Sequence, residues 1–385
     1  MKRRFPIVVL HVIPALGQGG AERLLRDLAL GASEQERHLV VVMLEGGLLA
    51  DRLEIYELGL PRKAKARAAW RLPRAGAALA DLIVSENVDV VQGWLYYGAF
   101  LTQWVRPLNC KIVWSIHNTT FARFFCNPKL HLADRLIARL SRSIPNQIIY
   151  CTQGARDLHE RRGYDSARGI VIENGVNTEL FMAATLSQRL SARASLGIGA
   201  TEPAIGILAR YDPQKDIPGT LAAVAKVFSK KPQLRLLLVG AGMDTANAEL
   251  EEALRRTGLL DRTIRLGERT DVEVILRGLD LVVLGSRYGE AMPMAFLEAL
   301  CVGVPIAATQ VGDVHSLPIP TSALSPWGDS TQLAGAIEIG LAQGADHPEW
   351  RHAFTEVRRR FTVDRYRQAH SDLYQSLLHE PRKAS

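Results

Sequence analysis

Residues 281–301 read LVVLGSRYGEAMPMAFLEALC and contain two apolar runs separated by a loop-like segment. The first four residues, Leu281–Leu284, are an apolar run of strand length, and the apolar run after Pro293 has the composition of a buried helix. Proline is tolerated in the first turn of a helix, so the pattern predicts a strand, a loop and a helix that begins near Pro293. Strand and helix in alternation are typical of a parallel α/β sheet.

Two glutamates flank the junction between this strand and this helix. Glu290 lies on the predicted loop, and Glu298 lies about one and a half turns into the predicted helix. Ligands of parallel sheets bind beyond the carboxyl ends of the strands, and carboxylates accept hydrogen bonds from hydroxyl groups. Two solvated glutamates are the alternative, but the apolar neighbours disfavour it. We therefore predict that Glu290 and Glu298 line a ligand site.

The same alternation of strands and helices continues on both sides of this junction. The strands predicted in the first half are Ile7–Pro14, His38–Leu44, Val88–Gln92, Lys111–Ile116, Gln147–Cys151 and Gly169–Ile172. The rhythm restarts in the second half with Ala204–Ala209, Leu234–Gly240, Ile264–Leu266, Leu281–Leu284 and Pro305–Ala308. The pattern predicts two Rossmann-like α/β domains, residues 1–184 and 185–364, with a closing helix in residues 365–385 that packs back on the first.

Length, composition and charge limit the classes of protein that remain. The chain has 385 residues, 47% of them hydrophobic, and a mean hydropathy of +0.01, which is typical of a soluble protein of two domains. The sequence contains no run of roughly 18 apolar residues, so no membrane span is predicted. Pro6, His11 and Pro14 interrupt the apolar start, so a buried strand is favoured over a secretory signal, and the cytoplasm is the predicted location. The four separated cysteines predict core thiols rather than zinc or disulfide sites.

Glycine-rich turns and basic residues follow several predicted strands. Gly17–Gly20 and Gly240–Gly242 are candidate anion sites, but neither completes the dinucleotide pattern, which disfavours a nicotinamide or flavin cofactor. Arg210 and Lys215 follow the first strand of the second half and could hold a diphosphate, a solvated pair being the alternative. His117 also follows a strand, where a histidine alone is more often structural.

Taken together, these residues resemble the retaining glycosyltransferases of family 4, whose GT-B fold has two facing Rossmann-like domains with the active site in the interdomain cleft. The resemblance spans almost the whole chain. The motifs that carry it are Gly19-Gly20-Ala21-Glu22, Ile116-His117-Asn118, Glu173-Asn174-Gly175-Val176-Asn177 with Phe181, Arg210 with Lys215, and Glu290 with Glu298. The chain departs from the family pattern at Ala209, Asp216 and Asn118, and the last difference removes a carboxylate beside His117.

The resemblance implies a reaction in which a nucleotide sugar gives up its sugar and its diphosphate leaves toward the second domain. The implied catalytic residues are His117, Arg210, Lys215 and Glu290. The implied donor-binding residues are Gly19, Gly20, Arg210, Lys215, Gly240, Arg269, Glu290, Ala291, Met292 and Glu298. No metal and no cofactor is expected, in keeping with the absence of an Asp-x-Asp motif from the sequence.

The excess positive charge lies in the first half. Residues 1–185 hold 24 basic and 17 acidic residues, whereas the remainder is balanced. The predicted membrane-contact residues are Arg62, Lys63, Lys65, Arg67, Trp70 and Arg71, with a second aromatic and basic group at residues 121–125. An anionic membrane is therefore the expected partner, a solvated basic face being the alternative, and nucleic acid is disfavoured because no binding motif accompanies the charge.

The sequence thus predicts a membrane-peripheral enzyme on the inner face of the cell membrane. It would move a hexose or N-acetylhexosamine from a nucleotide sugar, a UDP-sugar in preference to a GDP-sugar, to a saccharide acceptor on a lipid carrier, as in polysaccharide or lipopolysaccharide biosynthesis. Two alternatives stay open: a GT-B nucleotide-sugar epimerase, and a catalytically silent member of an assembly complex that binds a nucleotide sugar or membrane.

Overall fold

The structure is a computed structural model that describes residues 6–44, 53–60, 71–119 and 128–379. Its contacts divide the chain into two compact units. The N-terminal unit holds the described residues up to Asn118, those from 128 to Asn174, and those from Val363 onward. The C-terminal unit holds Thr119 and Gly175–Thr362. This division falls at residue 174, ten residues before the predicted domain boundary.

The N-terminal unit alternates strands with helices. Its elements in chain order are β1 (Ile7–Ile13), α1 (Gly20–Leu30), β2 (Glu36–Leu44), β3 (Glu54–Leu60), α2 (Arg71–Ser85), β4 (Val90–Trp94), α3 (Leu95–Leu101), β5 (Lys111–Ile116), α4 (Pro128–Leu140), β6 (Gln147–Tyr150), α5 (Gln153–Arg161) and β7 (Gly169–Val171). The described strands pair in parallel in the order β3-β2-β1-β4-β5-β6-β7. The order reverses at β1 and β4, which is the arrangement of a Rossmann sheet.

The C-terminal unit repeats this architecture. Its elements are α6 (Leu186–Ser195), β8 (Ala204–Leu208), α7 (Ile217–Lys230), β9 (Arg235–Val239), α8 (Ala248–Thr257), β10 (Thr263–Gly267), α9 (Val272–Gly278), β11 (Leu281–Leu284), α10 (Met294–Val302), β12 (Ile306–Thr309), β13 (Leu324–Ser325), α11 (Ser330–Gln343) and α12 (Pro348–Arg360). Its parallel strand order is β10-β9-β8-β11-β12-β13. The final helix, α13 (Val363–His379), belongs to the N-terminal unit.

Buried apolar strands form the core of each unit. In the C-terminal unit the central strand β11 is buried along its whole length, as expected for a strand covered on both faces. Helix α10 is almost entirely buried, and Pro293 is the residue immediately before it. Gly303 ends this helix at a φ of +95°, a conformation that glycine adopts without a steric penalty. The predicted pair of Rossmann-like α/β units is therefore confirmed.

The cysteines differ in their surroundings. Cys151 and Cys301 are buried free thiols, as predicted, whereas Cys110 is only half-buried. Cys126 lies outside the described residues. No helix in the described segments is both long and apolar enough to cross a bilayer.

Candidate functional site

The candidate site of the C-terminal unit lies at the carboxyl edge of its sheet. The loop after β8 carries Lys215, and the loop after β11 carries Glu290. Because β8 and β11 are neighbours in a parallel sheet, both loops leave the same edge. The Arg287 N–H donates to the Gln214 carbonyl over 2.8 Å, which ties the two loops together.

The centre of this edge is an ion pair. Lys215 Nζ lies 2.6 Å from Glu290 Oε1, and Ser286 Oγ donates to the same carboxylate oxygen, also over 2.6 Å. Glu290 is 5% exposed and Ser286 1% exposed. A charge-assisted bond in such shielded surroundings is stronger than one at the surface. The structure thus brings together two predicted residues that are 75 positions apart. It adds Ser286, to which no sequence motif pointed.

The backbone of Glu290 is held as firmly as its side chain. Its carbonyl accepts hydrogen bonds from the Asp313 N–H (3.0 Å) and from Thr119 Oγ1 (2.7 Å). Gly312 has a φ of +58°, and a Cβ atom there would lie 1.8 Å from that carbonyl oxygen. Only glycine allows this close approach. No pattern in the sequence pointed to Gly312 or Thr119, because their role arises from tertiary contacts.

The glycine turn after β9 crosses the loop after β8 closely. A Cβ atom at Gly240 would lie 2.2 Å from the Ala209 carbonyl oxygen. The Gly240 N–H donates to the Gly267 carbonyl over 2.7 Å, and the Tyr211 N–H donates to the Ala241 carbonyl over 2.8 Å. The Gly240 N–H is therefore already bonded within the protein. A glycine is needed at this position because the two backbones approach each other closely.

The second glutamate lies inside α10. Glu298 is the fifth residue of this helix and is 3% exposed, so it is not a solvated side chain. Ala291 and Met292, the other predicted donor-binding residues here, are buried in the segment just before the helix. The loop, the helix start and both glutamates thus form one buried junction, as residues 281–301 predicted.

The two arginines predicted to bind the donor, Arg210 and Arg269, differ in their exposure and their partners. Arg210 is exposed and makes no hydrogen bond or ion pair with any residue in the described segments. Arg269 binds Asp271 with two bonds, 2.7 and 2.5 Å long, and the hydrogen bonds from Arg269 lower the pKa of that carboxyl group. Arg210 is thus a solvent-exposed cation, whereas Arg269 already has a carboxylate partner.

In the N-terminal unit, His117 follows β5, as predicted. Its ring stacks on the Trp94 indole, with centroids 5.2 Å apart and planes 2° apart. Burial lowers the pKa of His117 to about 4, and the side chain of Asn174 offsets part of this shift. The imidazole is thus neutral near pH 7, and neither ring nitrogen has a hydrogen-bond partner of good geometry among the described residues.

The remaining predicted site residues are placed as follows. Gly19 is the residue before α1, and Gly20 begins it, so both lie at a helix start. Arg71 is exposed at the start of α2. The other predicted membrane-contact residues, Arg62, Lys63, Lys65, Arg67 and Trp70, lie outside the described residues, as do residues 121–125. Within the described ranges, no group of three or more His, Cys, Asp or Glu side chains could hold a metal ion.

Two family models match the chain. The model described as Glycosyltransferase Family 4 matches residues 18–180, and the model described as Glycosyl transferases group 1 matches residues 202–343. Together the two matches cover most of the chain, one in each half.

Similar proteins are also glycosyltransferases. The putative glycosyltransferase EpsF of Bacillus subtilis is 25% identical over 307 residues, which cover 77% of each chain. The lipopolysaccharide core biosynthesis mannosyltransferase LpsB of Rhizobium meliloti is 29% identical over 150 residues, which cover 38% of this chain and 42% of that one. The chain spans about two fifths of the length of several curated relatives that it matches.

A solved structure shares the fold. The crystal structure of Anabaena HepE in complex with UDP and glucose has a TM-score of 0.82 and 21% sequence identity, over 96% of this chain and 99% of that one. With the two family models and the two parallel α/β units, this likeness identifies the GT-B fold. The chain therefore belongs to glycosyltransferase family 4 and is a glycosyltransferase of the GT-B fold.

Proposed function

We propose that the protein transfers a hexose or N-acetylhexosamine from a nucleotide sugar, with a UDP-sugar as donor, to a saccharide acceptor with retention of configuration. The observation that carries this proposal is the largely buried Lys215–Glu290 pair at the carboxyl edge of the C-terminal sheet. Support comes from the HepE complex with UDP and glucose and from the mannosyltransferase activity named for LpsB.

The charges at this edge suit a departing diphosphate. In the reaction, the bond between the anomeric carbon and the diphosphate oxygen breaks, and its electron pair leaves with the diphosphate. Lys215 would stabilise that developing charge, because a preorganised cation acts strongly in a shielded site. Arg210 is exposed, and its guanidinium would add a second cation with bidentate donors. The acceptor hydroxyl oxygen forms the new bond on the same face of the sugar and its proton passes to the departing diphosphate, so no covalent nucleophile is assigned.

The carboxylate of Glu290 would bind hydroxyl groups of the donor sugar, and that of Glu298 would bind hydroxyl groups of the ribose. A carboxylate accepts hydrogen bonds from hydroxyl groups, and the pair to Lys215 together with Ser286 fixes where Glu290 Oε1 lies. In the N-terminal unit, His117 would form hydrogen bonds to the reacting sugar. Neither of its ring nitrogens has a hydrogen-bond partner of good geometry among the described residues. Its neutral state allows it to accept one hydrogen bond and donate another.

A thermal-shift screen against UDP, GDP, ADP and their common sugars tests the donor assignment. A ligand at about 100 times its Kd adds about 2.7 kcal/mol to the stability of the folded state. We expect a rise in Tm with UDP and UDP-sugars and no rise with ADP. A rise in Tm with GDP alone would change the assigned donor base from uracil to guanine. No rise in Tm with any nucleotide would contradict the assignment of a nucleotide-sugar site. Conversion of the donor sugar without an acceptor would indicate an epimerase instead.

The proposed reaction needs no metal ion, and chelation tests this. We expect turnover with an excess of EDTA to equal turnover without it, because fixed cations stabilise the diphosphate. Strict dependence on added magnesium would contradict this part of the proposal. Calcium and manganese added back after chelation serve as controls.

We propose that the acceptor is carried on a lipid, as in polysaccharide or lipopolysaccharide synthesis, and that the basic segment containing Lys63, Lys65 and Arg67 binds an anionic membrane on its inner face. Each cation near such a surface contributes about 1 kcal/mol. Replacing these three residues by glutamine should therefore weaken binding to anionic vesicles by at least about 10²-fold, and salt should weaken binding by the unmodified protein.

The matched control replaces three cations of the C-terminal unit, Lys226, Lys230 and Lys231, by glutamine. Vesicle sedimentation measures both variants against vesicles with and without anionic lipid. Equal binding to neutral and anionic vesicles, or equal losses in both variants, would contradict the assignment of the membrane contact to residues 62–71.

A further inference from the structure

A continuous chain of hydrogen-bonded polar side chains crosses the interior of the N-terminal unit. Trp94 Nε1 donates to His11 Nδ1 over 3.1 Å, His11 Nε2 lies 2.7 Å from His38 Nδ1, and His38 Nε2 lies 3.1 Å from Glu36 Oε2. These four residues, termed the Trp94–Glu36 chain, come from the neighbouring strands β4, β1 and β2. Trp94 and His11 have no exposed surface, and His38 is 8% exposed.

The groups at the two ends of the Trp94–Glu36 chain fix the direction of hydrogen-bond donation along it. An indole N–H can only donate, so His11 Nδ1 must accept and the His11 proton must be on Nε2. That proton is then donated to His38 Nδ1, which places the His38 proton on Nε2. The chain ends on Glu36, whose other oxygen accepts from Ser371 Oγ over 2.5 Å. The structure therefore assigns the Nε2–H tautomer to both histidines.

The charge states agree with this direction. Burial and the proximity of His38 lower the pKa of His11 well below its usual value, so its ring is neutral. Burial alone would raise the pKa of Glu36, but hydrogen bonds from His38 and Ser371 outweigh it and lower that pKa. Glu36 is therefore a carboxylate, which is the acceptor that the end of the chain requires.

The other end of the chain fixes the indole against which His117 stacks. The next residue, Leu95, has a φ of +57°, which is uncommon for a residue with a side chain. Gly98 lies against the Val12 carbonyl so closely that a Cβ atom would be 2.2 Å from its oxygen. The backbone after Trp94 is thus held tightly, and the His11 bond fixes the indole plane.

We propose that the Trp94–Glu36 chain positions His117 for the reaction. Glu36 and His38 set the tautomer of His11, His11 orients the Trp94 indole, and the indole face orients the imidazole stacked on it. An indole nitrogen cannot accept a proton and pass it on, so the chain transmits orientation rather than protons. The residues of the chain are positioning residues, and the inference rests on the role proposed above for His117.

The tautomers can be measured independently of activity. Nitrogen-15 NMR of the full-length protein, labelled at histidine, distinguishes a protonated ring nitrogen from an unprotonated one. We expect Nε2–H for both His11 and His38 at neutral pH. An Nδ1–H tautomer at either residue would break the direction of the chain and overturn the proposal.

Two substitutions at one position test the function of the chain. His11→Leu removes the acceptor for Trp94, whereas His11→Asn keeps an amide oxygen near the place of Nδ1. We expect His11→Leu to lower kcat by at least about 10-fold with the donor KM changed less than about 2-fold, and His11→Asn to stay within about 3-fold of the unmodified protein, because small misplacements in an active site reduce rates strongly. Tyr164→Phe, which removes another buried hydrogen bond of this unit, should leave kcat unchanged.

The outcomes separate this inference from the proposed function. If His117→Ala keeps full turnover, the role of His117 fails and the positioning role fails with it. If His117→Ala abolishes turnover but His11→Leu has no effect, or if His11→Asn is as impaired as His11→Leu, only the positioning role is overturned. Three results together support the positioning role. Turnover falls with His11→Leu and is largely retained with His11→Asn. Adding His11→Leu to His117→Ala lowers turnover no further.

Discussion

Replacing Lys215 by alanine should lower turnover of the nucleotide sugar by about 10²–10³-fold, which is the range seen when one preorganised group that stabilises transition-state charge is removed. In the structure this ammonium lies 2.6 Å from the Glu290 carboxylate and only 17% of its side chain is exposed. The substitution removes the cation proposed to bind the diphosphate. It also leaves Glu290 buried with Ser286 as its remaining hydrogen-bond donor at Oε1.

Loss of the ion-pair partner should also lower stability. Breaking a largely buried pair by removing one member typically costs about 3–5 kcal/mol, because the other charge stays buried without compensation. Turnover should therefore be measured well below the Tm of the variant. The double variant with Glu290→Gln should recover much of the stability and none of the turnover, which separates the two effects.

Lys226→Ala is the matched control for this prediction. Lys226 is an exposed lysine of the same unit, and its ammonium donates to Thr331 Oγ1 over 2.6 Å. Its loss should leave turnover unchanged. Near-normal turnover of Lys215→Ala would remove Lys215 from the site.

Replacing Gly312 by alanine should reduce turnover by at least about 10²-fold, because the new methyl group displaces Glu290, and misplacement of about 1 Å in an active site has effects of this size. The added Cβ atom would lie 1.8 Å from the Glu290 carbonyl oxygen and 2.4 Å from Thr119 Oγ1. The backbone that carries Glu290 must therefore move. Alanine at a φ of +58° adds roughly 1–2 kcal/mol of backbone strain.

Gly328→Ala isolates the strain from the collision. Gly328 also has a positive φ, +87°, but no atom lies within 4 Å of a Cβ atom built there. This variant should lower Tm modestly and keep its turnover. If Gly312→Ala were as active as Gly328→Ala, the backbone of Glu290 would not need its present position.

Much of the fold could be predicted from the sequence because parallel strands covered on both faces are continuous apolar runs. The strand at Leu281–Leu284 and the helix after Pro293 lie where residues 281–301 predicted them. Strands β3 and β13 and helices α3, α5, α9 and α11 were not predicted. In β3 polar residues interrupt the apolar ones, and α3 begins directly after Trp94 without a glycine or proline to mark the turn.

The candidate site was predictable only in part. Lys215 and Glu290 each follow a strand, and this position pointed to both of them. Gly312 and Ser286 act through tertiary contacts that no local pattern encodes. The histidines His11 and His38 lie within apolar strands, where their pairing across β1 and β2 becomes visible only once the sheet is formed.

The proposed function places the nucleotide-sugar donor at the Lys215–Glu290 pair. A direct test measures release of UDP from UDP-sugars by the purified protein, with water or an added saccharide hydroxyl accepting the sugar, beside Lys215→Ala and Lys226→Ala. We expect release by the unmodified protein and by Lys226→Ala, and a loss of about 10²-fold or more for Lys215→Ala. Release by Lys215→Ala at the rate of the unmodified protein would contradict it.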